Sequence, residues 1–171
     1  SASHNPGGPD GDFGIKYNGA NGGPATEKVT EAIFARTLEI TDYRMRDGKD
    51  IPLDSLGSLR LGEMSIEIVD PVADYAEMMT GIFDFNAIRG LLSSGFQIRF
   101  DAMHAITGPY AKRIFEELLG APAGTVINGV PLEDFGGHHP DPNLVHAAEL
   151  VAMTRGPQGV DFAAASDGDG D

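Results

Sequence analysis

The chain has 171 residues, a mass of 18.0 kDa and a net charge of −14, from 12 Lys and Arg against 26 Asp and Glu. Its apolar runs fall far short of a membrane span, and the absence of cysteine excludes disulfides, thiolate catalysis and cysteine-ligated zinc. An acidic surface repels nucleic-acid phosphates, so neither a nucleic acid nor a membrane is expected as a partner. The acid excess does favour cations wherever carboxylates converge.

The first 25 residues are crowded with turn formers: Asn5-Pro6, Gly8-Pro9, Asn18-Gly19 and Asn21-Gly22. They predict one long loop with a short extended stretch at Phe13 to Tyr17. A loop of that length inside an ordered chain points to function. From Pro24 a helix is predicted to about Ile40, with Val29, Ala32, Ile33 and Ile40 on one stripe. Residues 43–62 read as polar and irregular. Met64 to Val69 alternates as a half-buried strand, with Met64, Ile66 and Ile68 on one face.

Asp70-Pro71 pairs an N-cap residue with proline at the first helical position. The helix it opens carries Val72, Tyr75, Ala76, Met79, Ile82 and Phe83 on one face, and Asp84 caps a second helix with Ile88, Leu91 and Leu92. A domain boundary is expected near residue 75, separating 1–75 from 76–171.

Beyond it the pattern becomes regular. Gln97 to Asp101 reads as a strand, Thr107 as the cap of a helix bearing Tyr110, Ile114 and Leu118, and Thr125 to Asn128 as a second strand. A long loop, Gly129 to His139, precedes a helix capped by Asp141-Pro142, with Leu144, Val145, Ala148 and Val151 on its face. Phe162 to Ala165 is a third strand. The fold class is therefore α/β: strand, helix, strand, helix, strand implies a parallel sheet with right-handed crossovers, flanked by helices. Ligands of such sheets bind beyond the carboxyl ends of the strands. The third strand runs straight into Ser166-Asp167-Gly168-Asp169-Gly170-Asp171.

Two segments carry chemistry. On an extended chain Asp167, Asp169 and Asp171 would share one face at a spacing of about 6.6 Å. Two unit charges that far apart repel by about 2.5 kcal/mol at an effective dielectric of 20, and a hard divalent cation relieves the strain. The rival readings are a solvated acidic tail and a calcium loop. Against calcium, an alanine-rich strand precedes the loop where an EF-hand needs a helix. At the other end, Ser1-Ala2-Ser3-His4-Asn5-Pro6-Gly7-Gly8 sets a serine in a tight loop beside a histidine. Such a serine can serve as a nucleophile or phosphate carrier once activated, and glycine-rich backbone can cradle anions. The same pattern is also a common turn. His4 is a candidate base or a surface residue. Lys16 is a candidate for proton transfer or phosphate steering. His138-His139 suggests zinc, but adjacent side chains diverge and no third ligand has standard spacing. Asp101-Ala102-Met103-His104 reads as a structural turn at a strand end.

The segment Ser1 to Pro9, with Gly14-Ile15-Lys16-Tyr17-Asn18, resembles the phosphoserine loop of the α-D-phosphohexomutases, and Asp167-Gly168-Asp169-Gly170-Asp171 resembles their magnesium loop. Ile98 to His104, Gly108-Pro109-Tyr110 and Pro131 to Asn143 are similar to the phosphoglucomutase branch of that family. The resemblance covers essentially the whole chain. It implies the C-terminal part of the first and most of the second domain of a four-domain cytoplasmic enzyme. It further implies that Ser3 is the phosphorylated nucleophile, that His4 contacts the phosphoryl group, and that Lys16 assists proton transfer or phosphate positioning. Asp167, Asp169 and Asp171 would ligate Mg²⁺ with a phosphoryl oxygen of Ser3. The implied reaction interconverts glucose 1-phosphate and glucose 6-phosphate through glucose 1,6-bisphosphate, so the expected partner is a small sugar phosphate.

Two departures stand out: Ser1 occupies a position where many relatives carry threonine, and Ala163-Ala164-Ala165-Ser166 precedes the metal loop. The expectation is an internal fragment, without appreciable mutase activity alone, whose parent enzyme turns over glucose phosphates. Mannose or glucosamine phosphates are alternative substrates, because the sugar-reading domain is not in the sequence. A non-catalytic calcium- or phosphate-binding protein is the alternative outside enzymology.

Overall fold

The computed structural model describes residues 3–12, 14–45, 48, 50–155 and 159–170. Two compact units emerge, one made of Ser1–Gly14 with Asp70–Asp171 and the other of Ile15–Val69.

In the Ile15–Val69 unit, helix α1 spans Glu27–Thr37, shorter at both ends than the sequence predicts. Pro24 is held in an isolated antiparallel bridge with Asn18, and Thr26 takes the N-cap position without a side-chain cap bond. No strand forms over Gly14–Tyr17; Phe13 lies outside the described residues. Strands β1 (Gly57–Leu61) and β2 (Met64–Ile68) pair antiparallel from Gly57–Ile68 to Leu61–Met64. The second strand is the expected one. The first falls in the stretch predicted to be irregular, where only Leu59 and Leu61 alternate. Its partner and the turn at Gly62 (φ 65°) supply what its own pattern lacks.

In the other unit, α2 (Pro71–Ile82) and α3 (Phe85–Ser93) begin where their caps predict. Asp70 Oδ1 accepts hydrogen bonds from the amides of Val72 (3.0 Å) and Ala73 (3.2 Å), and Asp84 Oδ1 does the same for Asn86 and Ala87 at 3.0 Å. Strand β3 (Ile98–Asp101) leads into α4 (Thr107–Ala111), which continues as a π-helical stretch, Lys112–Leu118. The Leu119 amide accordingly reaches back five residues to the Ile114 carbonyl, at 2.9 Å. Strand β4 is only Val126–Ile127, α5 is Ala148–Arg155 and β5 is Phe162–Ala165.

Two expected caps differ. Thr107 opens α4 without capping it, because its hydroxyl is bonded instead to the Ser166 hydroxyl at 2.6 Å. Asp141 does not start α5; its carboxylate accepts the Asn143 side-chain Nδ2 at 2.7 Å. Asn143 Oδ1 in turn receives the Val145 and His146 amides, so a separate turn precedes the helix.

The three strands form a parallel sheet in the order β4-β3-β5. The chain goes from β3 to one edge at β4 and then crosses to the other edge at β5. That reversal opens a crevice past the carboxyl ends of β3 and β5, the place where α/β sheets bind ligands. Ala102, Ala111 and Val126 form the buried core beneath it, with Phe100 and Phe115 packed against them at a ring separation of 5.6 Å. Because Asp70 Oδ1 serves two amides of the first turn of α2, Asp70→Ala should cost about 1 kcal/mol of stability, read as a lower urea midpoint with unchanged slope.

Candidate functional site

At the carboxyl end of β5, two stretches distant in sequence meet. The Gly168 amide donates to the Ser3 carbonyl at 2.8 Å. The approach leaves no room for a side chain: a Cβ on Gly168 would lie 2.6 Å from that carbonyl oxygen and 3.2 Å from Cγ of the fully buried Pro140. Ser3 is 6% and Asp167 4% exposed, so both flank this contact from buried positions.

The Ser3 hydroxyl and His4 Nδ1 share a hydrogen bond of 2.8 Å, and His4 Nε2 faces Asp167 Oδ2 at 3.8 Å. Placing the imidazole proton on Nε2 directs it at the carboxylate. Nδ1 is then a lone pair, and the Ser3 hydroxyl donates to it. His4 itself is half-exposed, so serine and carboxylate are sheltered while the group linking them reaches solvent.

The acidic loop is curled rather than extended. Asp167 Oδ1 accepts the Gly170 amide at 2.8 Å and Gly170 adopts φ 79°, curling the loop back on itself. Asp169 lies on the wall of an adjoining cavity of about 460 Å³, with Thr107, Ser166, Tyr75 and Tyr110 also lining it. Among the described residues no three acidic or histidine side chains form a metal cage, and Asp171 lies outside the described residues. Lys16 is an exposed residue of the Ile15–Val69 unit.

The donor set fits a hard cation. Asp167 Oδ2 is buried and accepts no hydrogen bond among the described residues. A desolvated carboxylate oxygen left so, in a chain of charge −14, is costly unless positive charge reaches it. Oxygen donors suit Mg²⁺.

Several supporting residues carried no signal of this role in the sequence. Asp101, buried at the end of β3, stands where the sequence predicts a structural turn. Its Oδ1 accepts both the Met103 amide at 2.8 Å and the Asn128 side-chain amide at 2.9 Å, tying the ends of β3 and β4 together. The Thr107–Ser166 hydroxyl pair anchors the residue just before Asp167. Such pairings are tertiary, and no local pattern announces them. Four of the five histidines, His104, His138, His139 and His146, line a second cavity of about 360 Å³ beside Asp101. His139 stacks on His146 at 4.9 Å, an arrangement of rings rather than a zinc site.

Residues 73–171 match the family model described as phosphoglucomutase/phosphomannomutase, alpha/beta/alpha domain II, and residues 1–44 match that for domain I. The chain is 60% identical over 171 residues to the phosphoglucomutase of Rhizobium radiobacter, covering 100% of this chain and 32% of that protein. It is 51% identical over 179 residues to phosphoglucomutase-1 of Oryctolagus cuniculus, with the same two coverages. Among solved structures, the open form of the exocytosis-sensitive phosphoprotein pp63/parafusin, a phosphoglucomutase from Paramecium, superposes with a TM-score of 0.86 at 43% identity. That match covers 98% of this chain and 33% of the other. The chain thus spans about a third of the length of these relatives.

Gly168→Ala should force the two stretches apart, with a loss of about 2 kcal/mol in guanidinium unfolding. Faster proteolytic cleavage within residues 4–12 should accompany it.

Proposed function

The chain belongs to the phosphoglucomutase/phosphomannomutase family, and we propose that it is the segment of a phosphoglucomutase that carries the phosphoserine and the cation loop. The whole enzyme is an intramolecular phosphotransferase of the isomerase class, acting in the cytoplasm on glucose 1-phosphate and glucose 6-phosphate. Residues 1–75 are the C-terminal part of its first domain and residues 76–171 most of its second. The observation that carries this reading is the 2.8 Å hydrogen bond from the Gly168 amide to the Ser3 carbonyl, which sets the serine against the acidic loop.

Ser3 carries the phosphoryl group on Oγ. In the forward half-reaction a sugar hydroxyl attacks phosphorus, the Ser3 Oγ–P bond breaks as the sugar O–P bond forms, and the hydroxyl proton is released to a base. The product is glucose 1,6-bisphosphate. After it turns over in the site, Ser3 attacks the other phosphoryl group and the bond changes run in reverse. His4 serves the serine in turn: with its lone pair on Nδ1, 2.8 Å from the hydroxyl, it receives the serine proton as the oxygen attacks, and it gives that proton back when the oxygen leaves in the forward half-reaction. Asp167 Oδ2 faces the other ring nitrogen, Nε2, at 3.8 Å and orients the imidazole. Lys16 assists proton transfer or holds phosphate.

Asp167, Asp169 and Asp171, with a phosphoryl oxygen on Ser3, would hold Mg²⁺. When bound, the ion supplies positive charge that offsets the phosphoryl oxygens and the carboxylates alike. Burial of Ser3 excludes water from the serine, so phosphate passes to a sugar hydroxyl rather than being lost to hydrolysis.

In the full-length parent, peptide mass analysis should find phosphate on Ser3, and Ser3→Ala should reduce turnover of glucose 1-phosphate to background. A fully active alanine variant would reject the assignment. Mannose 1-phosphate and glucosamine 1-phosphate, assayed alongside, should be poorer substrates. The buried Oδ2 supports a second expectation. Asp167→Asn should raise the melting temperature in chelator, because a desolvated charge is removed. Mg²⁺ should then stabilise the parent, by about 2.7 kcal/mol at a hundredfold excess over its dissociation constant, and leave the variant unchanged.

A further inference from the structure

Four described residues other than glycine have positive φ: Met103 (50°), His104 (54°), Asn128 (50°) and Phe135 (53°). Such backbone is disfavoured for residues with a side chain, most of all for a bulky one, and persists only where its surroundings over-determine it. All four belong to one connected patch.

Asp101 Oδ1 takes the Met103 amide and the Asn128 side chain. The His104 amide donates to the Asn128 carbonyl at 2.9 Å, and the His104 carbonyl accepts the Leu132 amide at 3.0 Å. His104 Nδ1 lies 2.9 Å from the Val130 carbonyl, which can only accept, so Nδ1 carries the proton. The Phe135 amide closes the turn onto the Leu132 carbonyl at 3.1 Å. The His104 ring lies against Gly136, where a Cβ would come within 3.0 Å of Cδ2.

The outward face of this turn meets the serine loop. A Cβ on Gly7 would stand 2.7 Å from the Glu133 carbonyl oxygen and 2.9 Å from the Phe135 ring. The same loop is closed internally by the Gly11 amide on the Gly8 carbonyl (3.0 Å) and the Asp12 amide on the Pro6 carbonyl (2.9 Å).

We propose that His104 and Phe135 are positioning residues for Ser3: they hold the Leu132–Gly137 turn in the shape on which Gly7 is seated, and through that seat they fix the serine loop against Gly168. Neither touches the reacting atoms. Their role in a reaction rests on the phosphoserine reading above, whereas the seat itself is a property of the apo chain and is measured without metal or sugar.

The test is amide hydrogen exchange of the full chain. His104→Ala and Phe135→Ala should each speed exchange at the Gly11, Asp12 and Gly168 amides by about tenfold or more. The Phe100 and Ala102 amides of the sheet should keep parental rates. His104→Asn should stay within about threefold of the parent, because asparagine tolerates positive φ and its amide can donate to Val130. Rates at the three loop amides within twofold of the parent in both alanine variants would overturn the proposal. So would equal acceleration at the sheet amides, or a failure of His104→Asn to rescue, since both mean general destabilisation. A parent enzyme without phosphate on Ser3 would remove the phosphoserine reading and leave the exchange result standing.

Discussion

Everything in the site depends on two stretches of bare backbone touching. Ser3 and Gly168 are joined by one main-chain hydrogen bond, at a separation that any side chain on residue 168 would prevent. A side-chain contact in the same place would leave rotamer freedom in the link. A main-chain bond has none, so the serine hydroxyl and the first aspartate of the acidic loop inherit a fixed offset. Fixed offsets between donor and acceptor groups lower barriers without any further contact, because orientation has been settled before substrate arrives.

The sheet explains why the contact falls where it does. With β3 in the middle and β5 beside it, the loops leaving both strands face the same crevice. The acidic loop therefore emerges there by topology. The serine loop, far away in sequence, is carried to it by docking on the loop between β4 and α5. That long loop serves both partners: Glu133 and Phe135 receive Gly7, and buried Pro140 packs beneath Gly168. The long loop from Gly129, with Pro140 after it, thus backs both partners.

What could be read from the residues followed physical range. Helices α2 and α3 were legible because Asp70-Pro71 and Asp84 carry their own caps, and β2 and β5 because their patterns are complete within a few residues. The family resemblance was legible in the two end loops. The boundaries of α1, β1 and α5 were not, because each depends on a partner elsewhere: the Asn18–Pro24 bridge, the hairpin mate of β1, the turn at Asn143. Thr107 shows the limit most clearly. Its position suits a cap, yet its hydroxyl is drawn off by Ser166, 59 residues away. The bend of the acidic loop follows from its glycines, and the Gly170 amide on Asp167 Oδ1 fixes its form.

Two unfavourable features lie close to the two loops: the buried Asp167 Oδ2, which accepts no hydrogen bond among the described residues, and the left-handed backbone of Phe135, whose ring faces Gly7. The capped helices α2 and α3 show the opposite, with local preference and fold in agreement. Sequences that are locally consistent depart from that rule where function requires it. The two departures have different physical remedies. The strained backbone is compensated within the chain, by hydrogen bonds that converge on Asp101 and His104. Among the described residues the buried carboxylate faces the half-exposed His4 ring at 3.8 Å, and its Oδ2 accepts no hydrogen bond.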